Sequence, residues 1–273
     1  LFRSTFPSTG RYAGHWLGDN SATWEDLQSA VIGAQEFSMF GFPYIGSDIC
    51  GFNGNTTEEL CLRWQQMGAF HTFMRNHNGK GLPPQDPAQW SSVTEATIKA
   101  NLFRYSYLPY LYSLHFQASM YGKTVIRPVF YEFPEDSKTH DLGYEFLWGS
   151  SMLIAPVLHE GATEVKAYLP KDDWYSLFDY KYGQLISYGN QTFPAPWTSL
   201  IPVLVRGTSS KFGLSHTAIY VTTGGSILPR QKPDVTTEYT RKNAFELLVA
   251  PSRTNGKTLP IRKSSNRNLR KSQ

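Results

Sequence analysis

His15-Trp16-Leu17-Gly18-Asp19-Asn20 closes a short apolar run on a carboxyl group, with an indole and a glycine beside it. Tyr12 to Leu17 is a strand candidate. Thr23-Trp24-Glu25-Asp26 follows at once and has the form of a capping box, an acid three residues after a threonine. Leu27, Val31, Ile32 and Met39 then recur at helical spacing. The pattern repeats twice. Phe42 to Gly46 is a second strand candidate ending in Ser47-Asp48, and Thr56-Thr57-Glu58-Glu59 caps a helix with Leu60, Trp64 and Met67 on one face. Phe70 to Met74 is a third strand candidate, ending in Arg75-Asn76-His77-Asn78. Ser92-Val93-Thr94-Glu95 caps a longer helix that is expected to turn Ile98, Leu102 and Tyr105 inward and to break at Pro109.

Strand and helix in alternation are the grammar of a parallel α/β sheet. In an eight-stranded α/β barrel the chemistry lies at the C-terminal ends of the strands. Those ends here carry Asp19, then Asp48, then Arg75 and His77. Asp19 alone fits either a proton donor or a plain Gly-Asp turn or helix cap. The recurrence of charged groups at three successive strand ends favours the donor.

From Glu145 the pattern changes. Leu147 to Val157, Glu164 to Leu169, Trp174 to Phe178 and Leu204 to Val205 are short runs of β-formers separated by Gly, Pro and Asp turns. They predict an antiparallel all-β unit that buttresses the barrel, with Trp174 and Tyr175 in its core. The boundary falls near residues 132–144. The organisation is thus a partial barrel over 1–132, β-sandwich material over 133–251 and a basic, disordered tail over 252–273. Gly207 to Gly225 is polar and flanks the apolar patch Ala218-Ile219-Tyr220-Val221; no role follows for it.

Apolar residues make up 40% of the 273-residue chain and aromatics 15%, enough for a substantial core. The net charge of +4 is concentrated in the tail, where Arg253, Lys257, Arg262, Lys263, Arg267, Arg270 and Lys271 face no acid. Removing those seven leaves a body at −3, which is not a nucleic-acid binder. Cys50 and Cys61 can close a small-loop disulfide in an oxidising compartment, and their spacing does not favour a metal site. No metal or organic cofactor is implied. Asn55-Thr56-Thr57 and Asn190-Gln191-Thr192 are glycosylation sequons, which lean toward secretion. No apolar run reaches the roughly 18 residues of a membrane span, and no stretch has the form of a signal peptide. Opening on Leu1-Phe2-Arg3 without Met, the chain reads as a piece of a longer protein.

Arg3-Ser4-Thr5-Phe6, His15 to Asn20, Gly46-Ser47-Asp48-Ile49-Cys50-Gly51-Phe52 and Arg75-Asn76-His77, in that order, resemble the α-glucosidases of glycoside hydrolase family 31, in particular the intestinal maltase-glucoamylase and sucrase-isomaltase group. The resemblance covers residues 1–206. It returns more weakly at Gly224-Gly225-Ser226-Ile227-Leu228-Pro229 and around Phe245 to Ala250. It implies the C-terminal half of a (β/α)8 barrel followed by a β-sandwich. It also implies retaining, exo-acting hydrolysis of α-glucosidic bonds in maltose-like oligosaccharides. By the same resemblance Asp19 matches the general acid/base. Arg3 and His77 match residues that bond the sugar hydroxyls, and Trp16, Asp48, Phe52 and Arg75 match the wall of that pocket. Cys50 and Cys61 match a family disulfide. The parent protein would lie on the secretory pathway or the outer face of the plasma membrane.

Retention needs a second carboxylate as nucleophile. In the family it lies in a Trp/Asp/Met/Asn/Glu-type segment on an earlier strand, and nothing like that segment occurs in residues 1–273. The remaining half of the barrel is therefore an expected partner, and the isolated chain is expected to be inactive. Two alternatives stand beside the hydrolase: a truncated form that at most binds carbohydrate or a partner, and an inverting enzyme using Asp19 with Asp48 as base. Arg75 fits either a sugar contact or an ion pair with Asp48. His15, His71 and His115 fit structural roles.

Overall fold

The computed structural model describes residues 3–178, 181–207 and 225–252. The patch at Ala218 to Val221 and the basic tail lie outside the described residues.

The expected alternation of strands and helices is present, with shorter strands than the sequence suggests. β1 (His15–Trp16) leads to α1 (Trp24–Met39), β2 (Ile45–Gly46) and β3 (Asp48–Ile49), α2 (Glu58–Gly68) and β4 (Arg75–Asn76). β1 pairs with β2 in parallel, His15 opposite Ile45, and β3 pairs with β4 in parallel, Asp48 opposite Arg75. β2 and β3 are one path interrupted at Ser47, so residues 45–49 form the middle of a three-stranded parallel array. Threonines set the helix starts. Thr23 accepts from Asp26 N at 3.2 Å and Thr57 accepts from Leu60 N at 3.3 Å, each satisfying an amide the helix itself leaves unpaired.

The third strand is displaced from its expected place. Phe70 to Phe73 form turns and bends, and the ladder begins at Arg75. The cause is side-chain competition for the backbone. The Arg104 guanidinium donates to the carbonyls of Ala69, His71 and Thr72 at 2.6–2.9 Å. The Thr72 hydroxyl meanwhile accepts from Ile45 N and donates to Ile45 O.

The helices show their apolar residues to the core only in part. α1 buries Leu27, Ala30, Val31 and Ala34, while Met39 is exposed and Ile32 half-buried. α3 (Ser91–Ser106) buries Val93, Ala96, Thr97 and Ala100, leaving Ile98 and Leu102 outside. In α3 small residues bring the helix close to the core, so Ile98 and Leu102 mark its outer face. Nor does Ser92-Val93-Thr94-Glu95 cap α3. Trp90 stands at the cap, and Thr94 Oγ1 turns back to the carbonyls of Pro87 and Trp90. The break at Pro109 is as expected: α3 ends, and α4 (Leu108–Tyr121) begins with the proline in its first turn, where no N–H is required.

The second unit is built on a six-stranded antiparallel sheet. It contains β5 (Ile126–Pro128), β6 (Phe146–Trp148), β7 (Met152–Ile154), β9 (Asp173–Ser176), β10 (Leu185–Ile186) and β12 (Val203–Gly207). Their order is β10-β9-β12-β7-β6-β5, so strand pairing reaches back to Ile126. β8 (Glu164–Leu169) pairs with β11 (Gly189–Pro194). β13 (Gly225–Gln231) pairs with β14 (Phe245–Pro251), joining the two stretches of weaker family resemblance. Trp174 and Tyr175 are core residues.

One apolar core runs through both units, and polar ties reinforce it. Buried Arg63 on α2 donates to Ala162 O and Ala195 O, and Gln66 donates to Trp197 O and Ser199 O. Trp148 Nε1 donates to Phe70 O at 2.6 Å. Burial pulls the Arg63 guanidinium down to about 10, opposed by Glu59, so it remains charged at neutral pH. The all-β unit thus buttresses the helix behind β3 and β4.

Candidate active site

The parallel array turns its C-terminal ends to one side, and the predicted residues gather there. β1 supplies Trp16 and then Asp19. Between them Gly18 sits at φ +96°, a conformation that L side chains rarely adopt, and a Cβ on it would lie 3.2 Å from Arg3 Cδ. Asp19 follows the turn and is exposed. The loop after β3 is held as tightly. Cys50 has φ 73° and Gly51 has φ 92°. A Cβ on Gly51 would stand 2.4 Å from Ala22 Cα, so this backbone packs directly against the chain that follows Asp19. The Cys50–Cys61 disulfide fastens the loop to α2.

Asp48 is wholly buried. Its Oδ1 accepts from Arg75 Nε at 3.1 Å and from Arg75 Nη2 across the parallel pair. The Arg75 guanidinium also lies 5.9 Å from the Trp16 ring centre and 5.1 Å from that of Phe73. The Arg3 guanidinium lies 5.7 Å from the Trp16 ring. Such contacts are worth about 0.5–1 kcal/mol each at exposed sites. They line Arg3, Trp16, Arg75 and Asp48 up along one wall. Phe52 and His77 form the other visible pairing, with ring centres 5.3 Å apart at 37°.

Two buried polar atoms here have no hydrogen-bond partner among the described residues: Trp16 Nε1 and Asp48 Oδ2. Buried polar groups are nearly always paired, so each such atom calls for a ligand or a neighbour.

The histidines separate by position. His15 points away from the strand ends, stacked on Phe37 at 3.8 Å with its Nδ1 3.0 Å from Thr5 Oγ1, and burial lowers its pKa. His71 is fully buried behind β4. His115 contacts Tyr44 edge-on, and burial followed by the charge of Arg104 lowers its pKa. Asn55 is exposed on the loop before α2, and Asn190 is exposed on β11. Gln85 stands in Pro83-Pro84-Gln85-Asp86-Pro87, where only prolines mark the sequence. Its amide reaches both the 49–51 and the 76–77 segments.

Residues 1–114 match the profile of the glycosyl hydrolases family 31 TIM-barrel domain, and residues 122–209 match that of the glycosyl hydrolase family 31 C-terminal domain. The chain is 46% identical over 254 residues to Probable maltase-glucoamylase 2 of Homo sapiens, covering 92% of the chain and 9% of that protein. It is 46% identical over 253 residues to intestinal sucrase-isomaltase of Homo sapiens, covering 92% of the chain and 13% of that protein. The chain therefore spans only a small part of the length of these relatives. Among solved structures, a glucosidase II alpha subunit bound to alpha3-Glc2 is similar at TM-score 0.76 and 27% identity, over 88% of this chain and 24% of that one. A Flavobacterium johnsoniae GH31 dextranase complexed with glucose is similar at TM-score 0.77 and 25% identity, over 90% of this chain and 29% of that one.

Proposed function

The chain belongs to glycosyl hydrolase family 31, and from that premise we propose that it carries the acid/base side of a retaining, exo-acting α-glucosidase site for maltose-like oligosaccharide ends. The observation that carries this reading is the convergence of Asp19, Trp16, Asp48, Arg75, Phe52 and His77 at the ends of three neighbouring parallel strands. Asp19 protonates the departing glycosidic oxygen and then takes a proton from the incoming water. Its exposure at a turn held by Gly18 leaves the carboxyl free for both steps. Trp16 Nε1 and Asp48 Oδ2 supply a donor and an acceptor for sugar hydroxyls. Arg3 and His77 add donors, and Phe52 gives a flat face to the ring.

Asp48 is wholly buried and its Oδ1 is taken up by Arg75, an arrangement that disfavours the inverting alternative. The nucleophile belongs to the other half of the barrel in the parent chain, since the sequence contains no segment of the required type. A purely binding role is the second reading, supported by that same missing carboxylate. The disulfide and the two exposed sequons, at Asn55 and Asn190, support passage through the secretory pathway with glycosylation at both sites. Residues 1–132 then serve as the barrel part and 133–251 as its β-sandwich support, except that β5 at Ile126–Pro128 is already paired into the sheet of the second unit.

The 273-residue chain, assayed with a chromogenic α-glucoside, is expected to release no chromophore while maltose perturbs the Trp16, Phe52 and His77 resonances. Hydrolysis by the chain alone that persists in Asp19→Asn would contradict the role given to Asp19.

A further inference from the structure

Two side-chain amides span the three strand-end loops. Asn20 follows Asp19 directly. Its Nδ2 donates to Asp48 O at 2.9 Å, and its Oδ1 accepts from Phe52 N at 3.0 Å. Its own carbonyl accepts from Asn53 N at 2.8 Å, and Asn53 Nδ2 returns to Asp19 O at 3.0 Å. Gln85 does the same on the other side. It is 4% exposed. The two hydrogens on its Nε2 are shared among Gly51 O at 2.9 Å, His77 O at 3.1 Å, Ile49 O at 3.2 Å and Asn76 Oδ1 at 3.2 Å. Asn76 Nδ2 donates back to Gln85 O at 2.9 Å. Gly79 N closes the circuit by donating to Phe52 O at 2.8 Å.

We infer that Asn20 and Gln85 are positioning residues that weld the loops carrying Asp19, Phe52 and His77 into one rigid rim. The inference rests on the proposed function for its purpose, not for its geometry. A general acid must be held within a few tenths of an ångström of its productive place, and side chains on separate loops lose that precision. Each amide offers both a donor and an acceptor from a planar group, so one residue can bind two strands of backbone at once. The Gln85 loop is itself stiff. Asp86 is extended at ψ 153° ahead of Pro87 and caps the turn there through Ala88 N. The Phe52–His77 contact is then a consequence of Gln85, because that amide grips the backbone of Gly51 and of His77 together.

The test uses the whole chain with 13C-labelled histidine. In the wild type the His77 Hε1 signal is expected to carry a ring-current shift from Phe52, whose ring centre lies 5.3 Å away. Gln85→Leu and Gln85→Glu, neither of which can donate to the carbonyls at neutral pH, are expected to abolish that shift while the His15 and His115 signals stay in place. Asn20→Ala is expected to speed exchange of the Phe52 and Asn53 amides together. An unchanged His77 shift in both Gln85 variants would overturn the inference. Where a variant does not fold, wild-type hydrogen exchange decides: Phe52, Asn53 and Gly79 amides opening with one common protection support a single rim, and independent opening overturns it. Maltose addition separates the two ideas. A coupled rim whose signals do not respond to maltose contradicts the proposed function and leaves the positioning role intact.

Discussion

Arg75 and Asp48 stand opposite one another on adjacent parallel strands, and the arginine closes on one oxygen of a carboxylate that has no exposure at all. The other oxygen has no partner among the described residues. The pair therefore does two things. It fixes the Asp48 side chain against β4, and it leaves the second carboxylate oxygen without a partner among the described residues.

Removing the arginine strands a buried charge, which typically costs about 3–5 kcal/mol. Arg75→Met is expected to fall at the lower end of that range, because the arginine side chain is itself 34% exposed. Asp48→Asn in the Arg75→Met background should recover most of the loss in urea unfolding. An additive double variant would show that the two groups do not act as a pair.

The Cys50–Cys61 disulfide closes a loop with a sequence separation of 11. Chain-entropy reasoning gives such a loop about 2–3 kcal/mol. Cys50→Ser with Cys61→Ser should lower stability by roughly that amount and raise the exchange rate of the Phe52 amide. Stability unaffected by reduction would show that α2 and the loop are held by packing alone.

His71 is fully buried with both ring nitrogens unpartnered among the described residues. Burial, and then the charge of Arg104, lowers its pKa to about 3. An unfolded chain takes up this proton near pH 6.5, whereas the folded chain resists until about 3. The folded state binds fewer protons in that window, so stability falls as the pH falls, by at most about 1.4 kcal/mol per unit. His71→Phe should flatten this acid limb in thermal unfolding at pH 4–6, and an unchanged slope would contradict the assignment.

Glu145 behaves in the opposite sense. It is buried at the edge of β8, where its carboxyl accepts from Tyr168 N at 3.2–3.3 Å beside a cavity of about 770 Å³ that Asp141, His159, Glu164 and Lys166 also line. Burial raises its pKa to about 8, opposed by the Tyr168 bond. The folded state keeps a proton that the unfolded chain releases near 4.5, so stability falls as the pH rises from 4.5 to 8 and levels above it. Glu145→Gln should remove that alkaline decline, and a decline of equal slope in the variant would assign it to another group.

The architecture was legible because the capping threonines, the Gly-Asp turn and the strand-end charges are local signals. Thr23 and Thr57 cap the helices that the pattern predicted, and Asp48 and Arg75 lie together at neighbouring strand ends. What was not legible depended on groups distant in sequence. Arg104 moved the third strand by taking three carbonyls some thirty residues upstream of it. Alanines chose the buried face of α3, against the pull of Ile98 and Leu102. Gln85 carries no motif, and its amide gains a role only where the loop at 49–51, 34 to 36 residues before it, meets the loop at 76–77, 8 to 9 residues before it.

The role proposed for Asp19 is that of proton donor and acceptor. It is tested most directly in a polypeptide that joins this chain to the remaining barrel strands of a family member, comparing maltose with an aryl α-glucoside whose leaving group needs no proton. Asp19→Ala is expected to lose about 10²–10⁴-fold in turnover of maltose, far more than with the aryl substrate. Added azide should restore aryl glucoside turnover and yield α-glucosyl azide, the retained product. Wild-type maltase activity in the Asp19 variant would contradict the account.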